Sequence, residues 1–225
     1  MGNVAKKQLE EKKKAAKRNR IILIVLLSVV VLAVVGALIA TNLLNKDYKY
    51  ARMNVTYTDK NGVVQTGDIV IELRADCAPI TVANFQKLVS EGYYDGTDFF
   101  RIIDGVMIQG GENSEKKADY IKGEFAVNGV DNPLSHVRGT ISMARRAVAY
   151  DGVSAYNSAS SGFFIVQQDY PSWDGQYAAF GTVVSGMEHV DGIAGTELVE
   201  SETYGDVVAP KYPATINSVT LSEKP

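Results

Sequence analysis

Residues 99–111 read Phe-Phe-Arg-Ile-Ile-Asp-Gly-Val-Met-Ile-Gln-Gly-Gly, and no other stretch of the chain restricts its fold as tightly. Two short runs rich in branched and aromatic residues, Phe99 to Ile103 and Val106 to Gln109, flank Asp104-Gly105, which predicts a hairpin. An extended chain alternates its faces, so Arg101 and Ile103 share one side and Phe100 and Ile102 share the other. Met107 and Gln109 likewise share a side. One groove can thereby receive a cation, a thioether and an amide. Each residue taken singly has a plainer reading. An Arg in an apolar strand ordinarily lays its stem on the surface with its head in water, and Met ordinarily fills irregular core.

The same pattern logic organises the rest of the chain from residue 50. Tyr50 to Tyr57 and Val64 to Leu73 read as strands, joined by Asp59-Lys-Asn-Gly62, whose Asn-Gly suits positive φ. Pro79 fits the first turn of a helix. Val82, Phe85, Leu88 and Val89 then recur at helical spacing until Gly92 ends the run. Gly139 to Ala144, Phe163 to Val166, Phe180 to Val184 and Thr215 to Leu221 read as further strands, and Met187 to Ile193 as a second short helix. Phe163 and Phe164 are adjacent, so in a strand one must face each way. No linker composition, repeat or low-complexity tract interrupts residues 50–225, which read as one domain with one core. Many short strands with two helices predict a closed β structure, since closure removes exposed edges.

The N-terminal part has a different character. Residues 1–20 hold eight Lys or Arg (Lys6, Lys7, Lys12, Lys13, Lys14, Lys17, Arg18, Arg20) against Glu10 and Glu11. Ile21 to Leu44 then runs 24 residues without a charge. About 20 apolar residues in a helix cross the ~30 Å hydrocarbon core, so residues 21–44 are expected to span a membrane. The basic tail, residues 1–20, should stay cytoplasmic and leave the C-terminal bulk outside. The rival is a secretory signal cleaved near Val35-Gly-Ala37, although signal cores usually run only about 7–15 residues. Asn45 to Lys49 is a short connector of at most about 18 Å when extended, which keeps the domain close to the bilayer.

Composition excludes several functions. Beyond residue 20 there remain 15 basic and 24 acidic residues, a balance of −9 with no basic stripe, which argues against nucleic acid as a partner. Cys77 is the only cysteine, so no internal disulfide forms, and it reads as a small buried hydrophobe. His136 and His189 are far apart with no cysteine beside them, so no metal site is expected. No Ser-His pair at a recognisable spacing and no Gly-rich phosphate loop offers a rival catalytic set, and no cofactor is implied.

The 99–111 stretch resembles the signature of the cyclophilins, the cyclosporin-binding family of peptidyl-prolyl cis-trans isomerases, whose pattern is Phe-His-Arg-Ile-Ile-x-Gly-Phe-Met-x-Gln-Gly-Gly. Three later segments continue the resemblance. Arg138-Gly-Thr-Ile-Ser-Met-Ala-Arg145 is similar to the family's Gly-x-x-Ser-Met-Ala. Asn157-Ser-Ala-Ser-Ser-Gly-Phe-Phe-Ile165 is similar to its Ser-Gln-Phe-Phe-Ile. Asp174-Gly-Gln-Tyr-Ala-Ala-Phe-Gly181 is similar to its Leu-Asp-Gly-x-His/Tyr-x-x-Phe-Gly. The four matches keep their order between residues 99 and 181, within a resemblance that extends over roughly residues 50 to 222. The resemblance implies an eight-stranded antiparallel β-barrel capped by two α-helices, a mostly β fold. Joined to the uncharged run 21–44, it implies a membrane-anchored isomerase of bacterial type acting on proline-containing segments of exported proteins.

The resemblance further implies roles for individual residues. Arg101 would donate to the prolyl nitrogen and Gln109 would hold the substrate carbonyl side. Met107 and Phe164 would seat the proline ring, Ala144 would line the neighbouring groove, and Tyr177 would border the pocket. Departures from the pattern are equally specific. Val106 stands where the family usually carries Phe, Gly162 replaces a Gln, and the segment from Arg145 to Gly162 is several residues longer. The family's Trp-Leu before Asp-Gly appears here as Ser172-Trp173, which argues against cyclosporin binding and leaves Trp173 as the groove aromatic, displaced by one position. Two function classes follow: an isomerase, favoured by Arg101, and a non-catalytic chaperone or scaffold binding proline-containing segments, favoured by the missing Phe at 106.

Overall fold

The structure is a computed structural model, and it describes residues 48–225. The expected basic tail and membrane span, residues 1–44, lie outside the described residues, as does most of the connector.

Eight strands close into an antiparallel barrel. In chain order they are β1 (Tyr50–Thr58), β2 (Val64–Leu73), β3 (Thr97–Ile103), β4 (Met107–Gly110), β5 (Thr140–Met143), β6 (Phe163–Val166), β7 (Ala179–Ser185) and a last strand, β10 (Thr215–Ser222). Around the barrel they run β1-β10-β3-β4-β6-β5-β7-β2, and β2 pairs back to β1 over the whole length of β1, from Tyr50↔Glu72 to Thr58↔Val64. The β1–β2 turn forms as its residues demand. The Asp59 carboxylate accepts from the Asn61 and Val63 amides, and Gly62 takes φ 78°, a left-handed value that suits glycine.

Alternation decides what enters the core. Ala51, Met53, Val55 and Tyr57 of β1 and Ile69, Ile71 and Leu73 of β2 are buried inside the barrel. Helix α1 (Pro79–Ser90) adds Val82, Phe85, Leu88 and Val89, the face read from its spacing. The fully buried Phe85 ring meets Tyr94 at 5.1 Å, Phe180 at 5.3 Å and Phe163 at 6.1 Å. These separations suit tilted and edge-on aromatic contacts. A third element, α3 (Met187–Ala194), contributes Val190, Ile193 and Ala194.

Three features depart from the sequence expectations. Two helices were expected, and a third, one-turn helix α2 (Val148–Asp151) lies in the long segment after Arg145. A second small sheet, β8 (Leu198–Glu200) with β9 (Val207–Pro210), stands outside the barrel, between α3 and β10 in the chain. Strict alternation also fails in β3. The pairing with β4 slips between Phe99 and Arg101, so Phe99 and Ile102 both enter the core while Phe100 stays half-buried. A bulge of this kind inserts one unpaired residue and re-aims its neighbours. It leaves Arg101 and Ile103 together on the outer face, as the alternation of 101 and 103 requires.

Candidate active site

The outer face of β3, β4 and β6 carries the site. Arg101 pairs in register with Gln109, and Ile103 with Met107. Gln109 in turn pairs with Phe164, and Met107 with Val166. Phe163 and Phe164 divide as adjacent strand residues must. Phe163 joins the barrel core, while Phe164 joins a second apolar cluster with Met107 and Val166. Ile103, Val106, Ala144, Trp173 and Tyr177 pack against that cluster. Val106 itself precedes β4 in the turn, where its amide bonds to the Ile103 carbonyl.

The cation is held loosely by its own chain. Arg101 Nη1 donates to Gln109 Oε1 at 3.1 Å. Arg101 Nε is buried and has no hydrogen-bond partner, and among the described residues Arg101 forms no ion pair. The ring of Tyr204, from the β8–β9 loop, lies 5.0 Å from the guanidinium carbon. Partial burial first, then the Glu112 carboxylate, pushes the Tyr204 phenol above its ordinary pKa, with Arg101 opposing, so the ring stays neutral. A cavity of about 880 Å³ runs past Arg101, Gln109, Ala144, Tyr177 and Tyr204.

Aromatic side chains build the other wall. Trp173 sits in a one-turn 3-10 helix (Pro171–Trp173), half-buried, with its ring 5.1 Å from Phe164, 5.9 Å from Tyr177 and 4.3 Å from Tyr170. Tyr177 stands edge-on to Phe164 at 5.4 Å. The Arg145 guanidinium lies 4.6 Å from the Tyr177 ring and continues the rim. Gly162 borders Ala144 and Glu112: a Cβ there would meet Glu112 Oε1 at 3.2 Å, so the missing side chain leaves the carboxylate its room.

One supporting residue has no local signal in the sequence. His136 is fully buried and stacks on Phe164 at 6.0 Å, with planes 19° apart. Its Nδ1 lies 2.9 Å from Asp174 Oδ1, which also accepts the His136 amide at 2.7 Å, and its Nε2 lies 3.1 Å from the Ser142 hydroxyl. Burial pushes its pKa below the ordinary value against the pull of Asp174. A neutral ring beside a carboxylate carries its proton on Nδ1, which leaves Nε2 to accept from Ser142. The Asp174 carboxyl is pushed up by burial, but the His136 amide and ring outweigh this and hold it below its usual range. His136 thus ties the Trp173–Asp174 loop to the back of Phe164. Its partner is 38 residues away, so no spacing rule finds it.

The eight expected site residues therefore fall into two contiguous sets that share Ala144 and Tyr177. Arg101 and Gln109 line the polar cavity, and Val106, Met107, Phe164 and Trp173 form the apolar seat beside it.

The family model "cyclophilin type peptidyl-prolyl cis-trans isomerase/CLD" matches residues 56–221. The chain is 39% identical over 165 residues to peptidyl-prolyl cis-trans isomerase B of Escherichia coli (strain K12), covering 70% of this chain and 95% of that protein. It is also 39% identical over 163 residues to peptidyl-prolyl cis-trans isomerase A of Dickeya dadantii (strain 3937), covering 70% and 81% of the two chains. Among solved structures, a cyclophilin-type isomerase of Cryptosporidium parvum superposes with a TM-score of 0.60 at 24% identity, over 79% of this chain and 99% of that one. That last likeness concerns the fold.

Proposed function

This chain belongs to the cyclophilin-type peptidyl-prolyl cis-trans isomerases, and from that premise we propose that its groove accelerates rotation about X-Pro bonds. Resonance gives the peptide C–N bond a rotational barrier of ~18–20 kcal/mol. The two X-Pro isomers differ by only about 0.5–1 kcal/mol, so both are populated and exchange slowly. Catalysis requires only that the twisted bond bind better than either planar form. Twisting returns the lone pair to the prolyl nitrogen, where a fixed donor stabilises it selectively.

Arg101 carries this reading. Its guanidinium stands beside the apolar seat of Met107 and Phe164 with Nε unpartnered and, among the described residues, in no ion pair with a carboxylate. A planar cation with free donors in a partly dry site suits the developing lone pair. Gln109 spends its oxygen on Arg101, which leaves its amide N–H to hold the substrate carbonyl. A module that only bound proline would have no need of an unpaired cation there. A charge-assisted hydrogen bond is worth about 1.5–3 kcal/mol. At 1.36 kcal/mol per tenfold, Arg101→Ala should then slow catalysis about 10- to 150-fold. A protease-coupled assay on an X-Pro peptide tests this, and full activity in the mutant would reject the mechanism.

The membrane association rests on sequence alone. The uncharged run Ile21 to Leu44 behind a tail of net charge +6 supports a single-pass anchor with a cytoplasmic N-terminus, the isomerase domain outside, and exported proteins as its substrates. Among the described residues no helix is long and apolar enough to cross a membrane. Protease added to intact cells should degrade the domain and spare an N-terminal tag; the reverse pattern rejects the topology. A mature protein starting near residue 38 would favour the cleaved signal.

A further inference from the structure

We propose that Tyr204 is a positioning residue for isomerisation, holding the Arg101 guanidinium through its ring face while leaving the guanidinium's donors to the substrate. The proposal rests on the reading of Arg101 as donor to the prolyl nitrogen. A guanidinium carries five N–H donors in one plane. Here one contact, to Gln109, orients that plane through hydrogen bonding, and Nε has no acceptor. A carboxylate would hold the cation more firmly, but it would occupy the donors that the twisted bond needs. An aromatic ring attracts a cation through its quadrupole and consumes no donor. Tyr204 occupies that place, 5.0 Å from the guanidinium carbon.

The loop that delivers Tyr204 is built to hold it. It joins β8 to β9, and the Ser201 amide donates to the Asp206 carbonyl at 2.8 Å. The Gly205 amide donates to the Ser201 carbonyl at 2.8 Å, with Gly205 at φ 64°. The Tyr204 amide reaches the Ser201 hydroxyl at 3.3 Å, and Ser201 is itself buried. Among the described strands β8 and β9 pair only with each other, so the hairpin adds no strand to the barrel, although Leu198 packs against its core. Yet Leu198, Val207 and Val208 share with Arg101 and Ile103 the lining of a cavity of about 410 Å³, so the hairpin lies along the edge of β3 that carries the catalytic cation.

The test measures isomerisation by the full chain and by variants at 101 and 204. Tyr204→Leu should lower kcat about fivefold, about 1 kcal/mol at 1.36 kcal/mol per tenfold, with KM changed less than twofold. Tyr204→Phe and Tyr204→Trp keep a ring face and should restore the rate to within about twofold of wild type. In an Arg101→Ala background, Tyr204→Leu should cost nothing further, because the ring acts only through the cation. That coupling separates positioning from a loss of folding, which would lower both backgrounds alike. Equal losses in the two backgrounds, a Phe variant as slow as the Leu variant, or unchanged kcat in Tyr204→Leu would each overturn the proposal while leaving the role of Arg101 intact. A faster Leu variant would make Tyr204 a cover over the cation and also overturn it. An inactive wild type, or an active Arg101→Ala, would instead remove the underlying reading.

Discussion

Helix α1 depends on a carboxylate far along the chain, and removing it should cost more than any other single surface or loop contact described above. The helix starts at Pro79, and its N-cap, Ala78, provides no side-chain acceptor. Pro79 has no amide proton to satisfy, but Ile80 and Thr81 present theirs at the positive end of the helix dipole. Glu124 meets both. Its Oε1 accepts from the Ile80 amide at 3.0 Å, and its Oε2 accepts from the Thr81 amide and hydroxyl at 2.7 Å each. Glu124 is 2% exposed and Thr81 is fully buried, so water does not replace these bonds easily. Among the described residues Glu124 has no cationic partner; the backbone and one hydroxyl hold it. In Glu124→Ala the amide of exposed Ile80 recovers water. The Thr81 amide and hydroxyl do not, and each unsatisfied buried group costs about 1–3 kcal/mol. The expected loss is about 4 kcal/mol, which in a domain of this size lowers Tm by about 8–16 °C. Urea unfolding followed by far-UV dichroism measures it, with an unchanged m-value showing that the same surface is exposed. A loss below about 1 kcal/mol would show that the start of α1 is satisfied in some other way.

Three further outcomes test the groove. Val106→Phe should raise kcat/KM by up to about tenfold, because an aromatic contact adds about 0.5–1.5 kcal/mol beyond its area; an unchanged rate in a folded mutant would show that Trp173 already fills the place. Trp173 is the only Trp, so a saturating proline-containing peptide should shift its fluorescence emission; an unchanged spectrum with binding confirmed separately would place it away from the substrate. The depressed pKa of His136 means that the unfolded chain binds its proton more readily, so its contribution is complete above about pH 6.5 and is lost as pH falls below that value. Stability should therefore decline from pH 7 toward pH 5, and His136→Gln should flatten that slope; equal slopes would show that other groups titrate there.

What the sequence discloses and what it withholds divide along physical lines. Arg101, Met107 and Gln109 are legible because they ride on one hairpin, where a period of two places all three on one face. The bulge at Phe100 is not legible, since it is a property of the pairing between β3 and β4 and leaves no mark in composition. The same holds for the cap of α1, whose carboxylate is 43 residues from Thr81, and for the His136–Asp174 tie. Short strands such as Leu198–Glu200 and Val207–Pro210 escape detection for another reason. Val199 and Val207 are exposed, so no alternation of burial distinguishes them from loop. Trp173 shows how a motif can shift without failing. A one-residue displacement in β6 would turn Phe164 into the barrel and destroy the seat. In the 171–173 turn the same displacement is absorbed: the Trp173 amide bonds to the Tyr170 carbonyl, and the indole still reaches Phe164. Loops fix no face by periodicity, so the groove wall tolerates at Ser172-Trp173 a change that its floor would not.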